Sequence, residues 1–183
     1  METFPPARRM AARFVAGDTL EEALAVSRRV NREGIAVTLD HLGENVTSLD
    51  EAARSRDVYL ETLERLKEAG IEGNVSLKLT QFGIGISESE CRRNVEQVVG
   101  RAAALGSFAR VDMESSAYTE RTLALVTDLH RQHGAVGAVI QAYLYRSGKD
   151  VESLCNNGVR VRLCKGAYLE PPEIAWPRKA DVD

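Results

Sequence analysis

A lysine stands in the middle of the apolar run Leu77-Lys78-Leu79. An ammonium enclosed there needs an acid partner, because an unpaired buried charge is costly. Asp112, in VDME, is a candidate partner. Similar groups recur along the chain: Asp40 and Glu44 flank HLG, Gln81 follows Lys78, Glu114 follows Asp112, Gln141 and Arg146 bracket AYLY, and Arg162 precedes Lys165 in RLCK. Gathered in one pocket, such groups could hold an anionic substrate and stabilise charge that develops during reaction. A lysine beside an aspartate could also form an imine with a carbonyl substrate.

The elements that must position these groups alternate regularly. DTLEEALAVSRRVNREG predicts an amphipathic helix with Asp18 three residues before Glu21, with Leu20, Ala23, Leu24 and Ser27 on one face, stopped at Gly34. IAVTLD, residues 35–40, is short and nearly continuously apolar, as a strand buried on both faces of a parallel sheet is. Ser48 and Glu51 then cap a helix that ends at Gly70, before a strand at 74–80. Ser87 and Glu90 cap the next helix, before FARVDM; TERTLALVTDLHRQHG leads into AVIQAYLY; and a short helix at 149–156, stopped by Asn157-Gly158, leads into VRVRLC. The pattern predicts five strands, each pair joined by a helix, and therefore a parallel α/β sheet with right-handed crossovers.

An open doubly wound sheet and a (β/α)8 barrel both fit that order. The dinucleotide fingerprint of the open sheet is missing, since DHLGENV follows the first strand and GIGIS follows the second. Every strand does end in a strongly polar residue. Taken singly, each reads equally well as solvated loop, but five in succession match the face where a barrel collects its catalytic groups. The chain has 183 residues, short of the roughly 250 of an eight-unit barrel. A single domain over 1–183 is expected, holding about the first five βα units of an incomplete barrel, with a leading helical segment at about 1–33.

Composition narrows the function. A net charge of -3 gives no positive field for a phosphate backbone, so nucleic acid is not an expected partner. No apolar run approaches the length of a membrane span. Cys91, Cys155 and Cys164 form no CxxC pair, which suggests neither a disulfide framework nor a zinc site and fits a reducing cytosol. His130 and His133 suit the negative end of a helix better than a metal. Cys164 reads as packing, His41 as a neighbour of the site, and Trp176 with Pro171-Pro172 as a loop anchor.

The segment RVRLCKGAYLEPPEIAWPRKADVD from Arg160, with QAYLYR at Gln141, VDMESSAY at Val111, SLKLTQFG at Ser76 and VTLDHLGENV at Val37, closely resembles bacterial monofunctional proline dehydrogenase. The resemblance runs from about Arg13 to the last residue. It implies an FAD-dependent (β/α)8 barrel enzyme that oxidises L-proline to Δ1-pyrroline-5-carboxylate, the first step of proline catabolism to glutamate, and passes the electrons to a membrane quinone. It also implies a cytoplasmic protein, with peripheral association at the inner face of the membrane as an option. Position by position, Lys78 corresponds to the cation for the proline carboxylate and Tyr168 to a tyrosine beside the substrate. Asp112 and Arg162 correspond to the catalytic pair, the arginine near flavin N5 and O4. Met113, Gln141, Lys165, Gly166 and Ala167 correspond to flavin contacts, and Asp40 and Glu44 to an acidic pair in the polar network.

Ser115 departs from the resemblance, standing where the family usually has an acid. The family's later flavin contacts and its arginine pair for the carboxylate have no counterpart in these residues, which leaves Lys78 as the evident carboxylate cation. The chain by itself is therefore expected neither to close the barrel nor to turn over proline usefully. The fifth strand is expected to be an open edge. Two other readings stand beside this one: a Schiff-base barrel lyase using Lys78, and a fragment of the enzyme that acts only through binding.

Overall fold

The computed structural model describes residues 15–182. The first fourteen residues of the leading helical segment expected at about 1–33 lie outside them. Among the described residues five α-helices and five strands alternate: α1 (Leu20–Arg32), β1 (Val37–Asp40), α2 (Leu49–Glu68), β2 (Gly73–Leu77), α3 (Glu88–Ala104), β3 (Ala109–Val111), α4 (Ser116–His133), β4 (Val136–Gln141), α5 (Ser147–Asn156) and β5 (Arg160–Cys164). The strands are all parallel and pair in chain order.

The helix starts follow side-chain chemistry. Thr19, one residue later than expected, caps α1 by accepting from the Glu22 N–H, and the Glu22 carboxylate reaches back to the Asp18 N–H at 2.8 Å. Ser48 and Ser87 cap α2 and α3 as expected, accepting from the N–H groups of Glu51 and Glu90. Gly134 closes α4 at φ 70°, a left-handed conformation that a side chain would strain.

The core lies between the sheet and its helices. Val75, Leu77, Ala109, Val111, Val136, Ala138 and Ile140 point outward from the central strands and are at most 1% exposed. They meet Leu63 and Leu66 of α2, Val95, Val98 and Val99 of α3, and Val126 and Leu129 of α4. Burial of each large side chain contributes about 1.5–3 kcal/mol.

The opposite face carries Asp40, Ser76, Arg110, Gly137 and Arg160 in one register row. In a flat sheet β1 and β5 would stand about 19 Å apart, four strand spacings. Arg162 Nη2 nevertheless lies 3.4 Å from Thr38 Oγ1. The sheet is curled, and this polar face is its concave side. The fold is a half-barrel of five parallel βα units.

Several expectations change. β1 begins at Val37, and its residues alternate between half-buried and exposed. Among the described residues it pairs only with β2, and its concave face is open, so it is not buried on both sides. β2 ends at Leu77, because the chain turns there, with Gln81 and Phe82 N–H groups bonding back to Lys78 and Leu79 carbonyls. β4 ends at Gln141 and not Tyr145, since Leu144 N–H turns back to the Gln141 carbonyl. α5 begins earlier than expected, at Ser147. Among the described residues β5 pairs only with β4 and leaves its other side open, as expected.

Gly137 makes the concave packing possible. A methyl group there would lie 2.5 Å from the Arg160 carbonyl oxygen and 2.7 Å from the Phe108 ring. Gly137→Ala is expected to lower stability by about 1–3 kcal/mol in denaturant titration, with the loss concentrated in the β4–β5 pairing.

Candidate active site

The strand ends converge on one open cavity of about 540 Å³. Lys78, Asp112, Met113, Gln141 and Arg162 line it from four strand ends. Lys165, Gly166, Ala167 and Tyr168 close one side from the segment after β5. All nine site residues expected from the sequence therefore face the same space. Glu44, Val139 and Cys164 complete the lining. Cys164, expected to pack, is instead exposed to the cavity.

Asp112 sits between two cations. Its Oδ1 accepts a 2.6 Å hydrogen bond from Ser76 Oγ and lies 3.8 Å from Arg162 Nη1; its Oδ2 lies 3.9 Å from Lys78 Nζ. Lys78 has a closer partner, Asp40 Oδ2, at 3.1 Å. Partial burial acts to lower the Lys78 pKa, but the Asp40 hydrogen bond and charge, with Asp112 and Glu44, outweigh it and raise the ammonium above its ordinary value. Lys78 is thus held as a cation at neutral pH. Its side chain keeps 17% of its surface exposed, toward the cavity it lines.

Asp40 is held from behind. The Tyr59 hydroxyl, on α2, lies 3.1 Å from Asp40 Oδ1, and burial followed by the Asp40 charge raises its pKa far above the usual phenol range. Gln81, placed at the strand end by the sequence, bonds the His41 carbonyl through Nε2 and so braces the loop that carries Glu44.

Glu114 does not face the cavity. It is buried, and its carboxylate accepts from the Thr80 hydroxyl at 2.5 Å and the Thr80 N–H at 3.0 Å. Arg146 also turns away, pairing with Asp150 at 2.7 Å. Gln141, only 3% exposed, donates to the Glu114 carbonyl and accepts from the Ala167 N–H, so it ties the lining segment to the end of β3. Gly166 adopts φ 135°, and the Tyr143 ring occupies the space a Cβ would take, within 2.2 Å. That packing requires glycine irrespective of any ligand. Tyr168, whose phenol is pushed up to about 12 by burial and then by Glu44 and Glu114, remains a hydroxyl donor at neutral pH.

Ser115 starts α4 without a side-chain cap. Glu170 supplies the missing carboxylate: its two oxygens accept from the Ser116 N–H at 2.7 Å and the Ser116 hydroxyl at 2.6 Å. Trp176 does anchor the loop, edge-on to Tyr145 with ring centroids 4.9 Å apart. His130 bonds the Val136 carbonyl, and His133 lies 3.6 Å from Glu96, both away from the cavity.

Tyr59, Thr38, Ser76, Arg110 and Glu170 were not singled out from the sequence. Thr38, Ser76 and Arg110 each stand two residues before a recognised strand-end group, so strand alternation could have found them. Tyr59 lies on an ordinary core face of α2, and Glu170 follows the last strand. Neither carries a local signal.

The family model for proline dehydrogenase matches residues 23–181. The chain belongs to the proline dehydrogenase family. It is similar to proline dehydrogenase of Deinococcus radiodurans, 38% identical over 179 residues that cover 95% of this chain and 58% of that protein. Proline dehydrogenase 1 of Bacillus subtilis strain 168 is 34% identical over 173 residues, covering 94% of this chain and 57% of its own length. The chain thus spans a little over half the length of these proline dehydrogenases. Among solved structures, the proline utilization A (PutA) protein of Bdellovibrio bacteriovorus, inactivated by N-propargylglycine, superposes with TM-score 0.79 at 28% identity over 88% of this chain and 20% of that one.

Burial raises the Glu114 pKa despite the lowering effect of the Thr80 hydrogen bonds. Its protonated form therefore favours the fold, and that contribution is complete below the ordinary carboxylate range and lost as pH rises through the raised value. Glu114→Gln can keep both Thr80 contacts, so its stability relative to the parent should rise as pH climbs from the ordinary carboxylate range through the raised value, read in parallel urea titrations. Replacing Glu170 by Ala should cost about 1 kcal/mol at the start of α4 and speed amide exchange at Ser116 and across 165–168.

Proposed function

We propose that this half-barrel carries the proline- and flavin-binding wall of an FAD-dependent proline dehydrogenase. The observation that carries the reading is Lys78, held as an ammonium by Asp40 and Asp112 at the rim of a cavity that Arg162 faces from the other side. A cation fixed there suits the carboxylate of L-proline. It suits an imine-forming lysine poorly, because that chemistry needs a neutral amine and the surrounding acids favour the charged form.

The lining also fits a flavin. Met113, Val139 and Ala167 offer apolar surface to a flat ring, while Arg162 and Lys165 offer positive charge where a reduced flavin would be anionic. FAD, when bound, supplies the two-electron acceptor. The chain's own groups bind and orient. Lys78 takes the carboxylate, Tyr168 lines the substrate side with a hydroxyl, and Asp112 keeps Lys78 and Arg162 apart and turned toward the cavity. In the overall change L-proline loses a hydride from C5, the ring carbon beside nitrogen that does not bear the carboxylate, and a proton from nitrogen, giving Δ1-pyrroline-5-carboxylate. The resemblance of the strand-end motifs extends the reading to a membrane quinone as the final acceptor and to a cytoplasmic enzyme of proline catabolism. No helix among the described residues is long and apolar enough to cross a membrane.

Slow steady-state turnover is expected of these residues alone, because the cavity stands open beside β1 and β5 and water reaches the polar groups. Adding FAD and then L-proline to the purified chain tests the reading. Bound flavin is expected, with its visible absorbance bleached by L-proline over a single turnover. Lys78→Met should leave flavin binding within about twofold and raise the proline concentration for half-bleaching at least about tenfold, the loss of one charged hydrogen bond. Failure to take up flavin, or borohydride trapping of a carbonyl compound on Lys78, would overturn it.

A further inference from the structure

Tyr59 is among the largest fully buried side chains of the described residues, yet its hydroxyl lies against the carboxylate that holds Lys78. The phenol has one proton and three acceptors in reach: Asp40 Oδ1 at 3.1 Å, Gln81 Oε1 at 3.3 Å and the His41 carbonyl at 3.4 Å. A hydrogen bond to an ionised acceptor is the stronger, and Asp40 is both charged and nearest. The His41 N–H, 3.3 Å away, can donate to the phenol oxygen in return. The hydroxyl is thus fixed by helix α2, and the ring is wedged against Phe82, with centroids 5.4 Å apart.

A carboxylate held by one oxygen has little freedom in where it aims the other. With Oδ1 on Tyr59, Oδ2 faces Lys78 Nζ. Asp40 otherwise lies on the open edge strand β1, where a side chain that keeps 28% of its surface exposed would be free to turn into solvent. We propose that Tyr59 is a positioning residue: through Asp40 it sets where the Lys78 ammonium stands, reaching from the outer helix layer to the substrate cation. The proposal deepens the proline dehydrogenase reading, on which its functional consequence rests, but the chain of contacts can be tested without it.

Competitive acetylation of the chain across a pH series, mapped to Lys78 by mass spectrometry, reads the lysine directly, with Lys149 as an internal control. Tyr59→Phe keeps the ring packing. It is expected to lower the Lys78 titration and speed its labelling severalfold at neutral pH, because Asp40 no longer points steadily at the ammonium. Asp40→Asn should act in the same direction and more strongly, and adding Tyr59→Phe to it should change nothing further. A Lys78 titration that is unmoved or raised in Tyr59→Phe, or an equal additional shift on the Asp40→Asn background, would refute the proposal.

A measurement that does not need Tyr59 replaced uses 3-fluorotyrosine. The ¹⁹F resonance of Tyr59 should move on Asp40→Asn, whereas a hydroxyl given to Gln81 or His41 would leave it in place and defeat the proposal. In the FAD-loaded chain, Tyr59→Phe should raise the proline concentration for half-bleaching severalfold, with flavin binding unchanged. If labelling shifts as expected but no variant is bleached by proline, the positioning stands and the oxidation reading fails. If bleaching occurs while Lys78 labelling is unmoved, the reverse holds.

Discussion

The site depends on Asp112 lying between two cations that would otherwise repel. Lys78 comes from the end of β2 and Arg162 from β5, on either side of β3 and β4, and each lies within 4 Å of the Asp112 carboxylate. The contact exists because the sheet curls, since across a flat sheet these side chains would diverge. One carboxylate cannot neutralise every charge on the concave face. Arg110, one row below, has a buried Nε without a hydrogen-bond partner among the described residues and stacks with Arg160 on the Phe108 ring. Burial, together with the charge of Arg162, pushes Arg110 down, while Asp112 opposes the shift. The acids present are thus concentrated at the rim, where they hold Lys78 and Arg162 beside the cavity.

Behind that rim, the positions are set by polar groups whose hydrogen bonds are made to the protein itself. Gln141 spends both ends of its amide on backbone, linking the end of β3 to the segment after β5. Ala142 and Tyr143 N–H groups bond the Cys164 and Lys165 carbonyls, and the Tyr143 hydroxyl takes the Tyr168 carbonyl, so that segment lies along the β4 end. Glu170 then joins it to α4. Together these contacts tie the segment to a strand end and a helix start, and the outcome is a fixed wall for the cavity.

The difference between Glu114 and Asp112 shows how local sequence can mislead. Both follow β3, two residues apart, and both looked like site acids. Extended backbone turns alternate residues to the same side, but the strand stops at Val111. Asp112 keeps the concave direction, while Glu114 bends under the β2 turn and is consumed by Thr80. Arg146 has the same history, because the turn that ends β4 early carries it to Asp150.

The sequence by itself determined the alternation of helix and strand, the parallel sheet, and the set of groups at the strand ends. These follow from periodicity, capping residues and the direction of side chains along a strand, all of which are local. The resemblance of five spaced motifs added the family and the residues that would hold substrate and flavin. Only the tertiary structure decided which acid holds Lys78, with Asp40 nearer than the expected Asp112, and that Tyr59 and Glu170 support the site from an outer helix and a distant loop. Those pairings depend on sheet curvature and on contacts between residues far apart in the chain, and no local pattern encodes either.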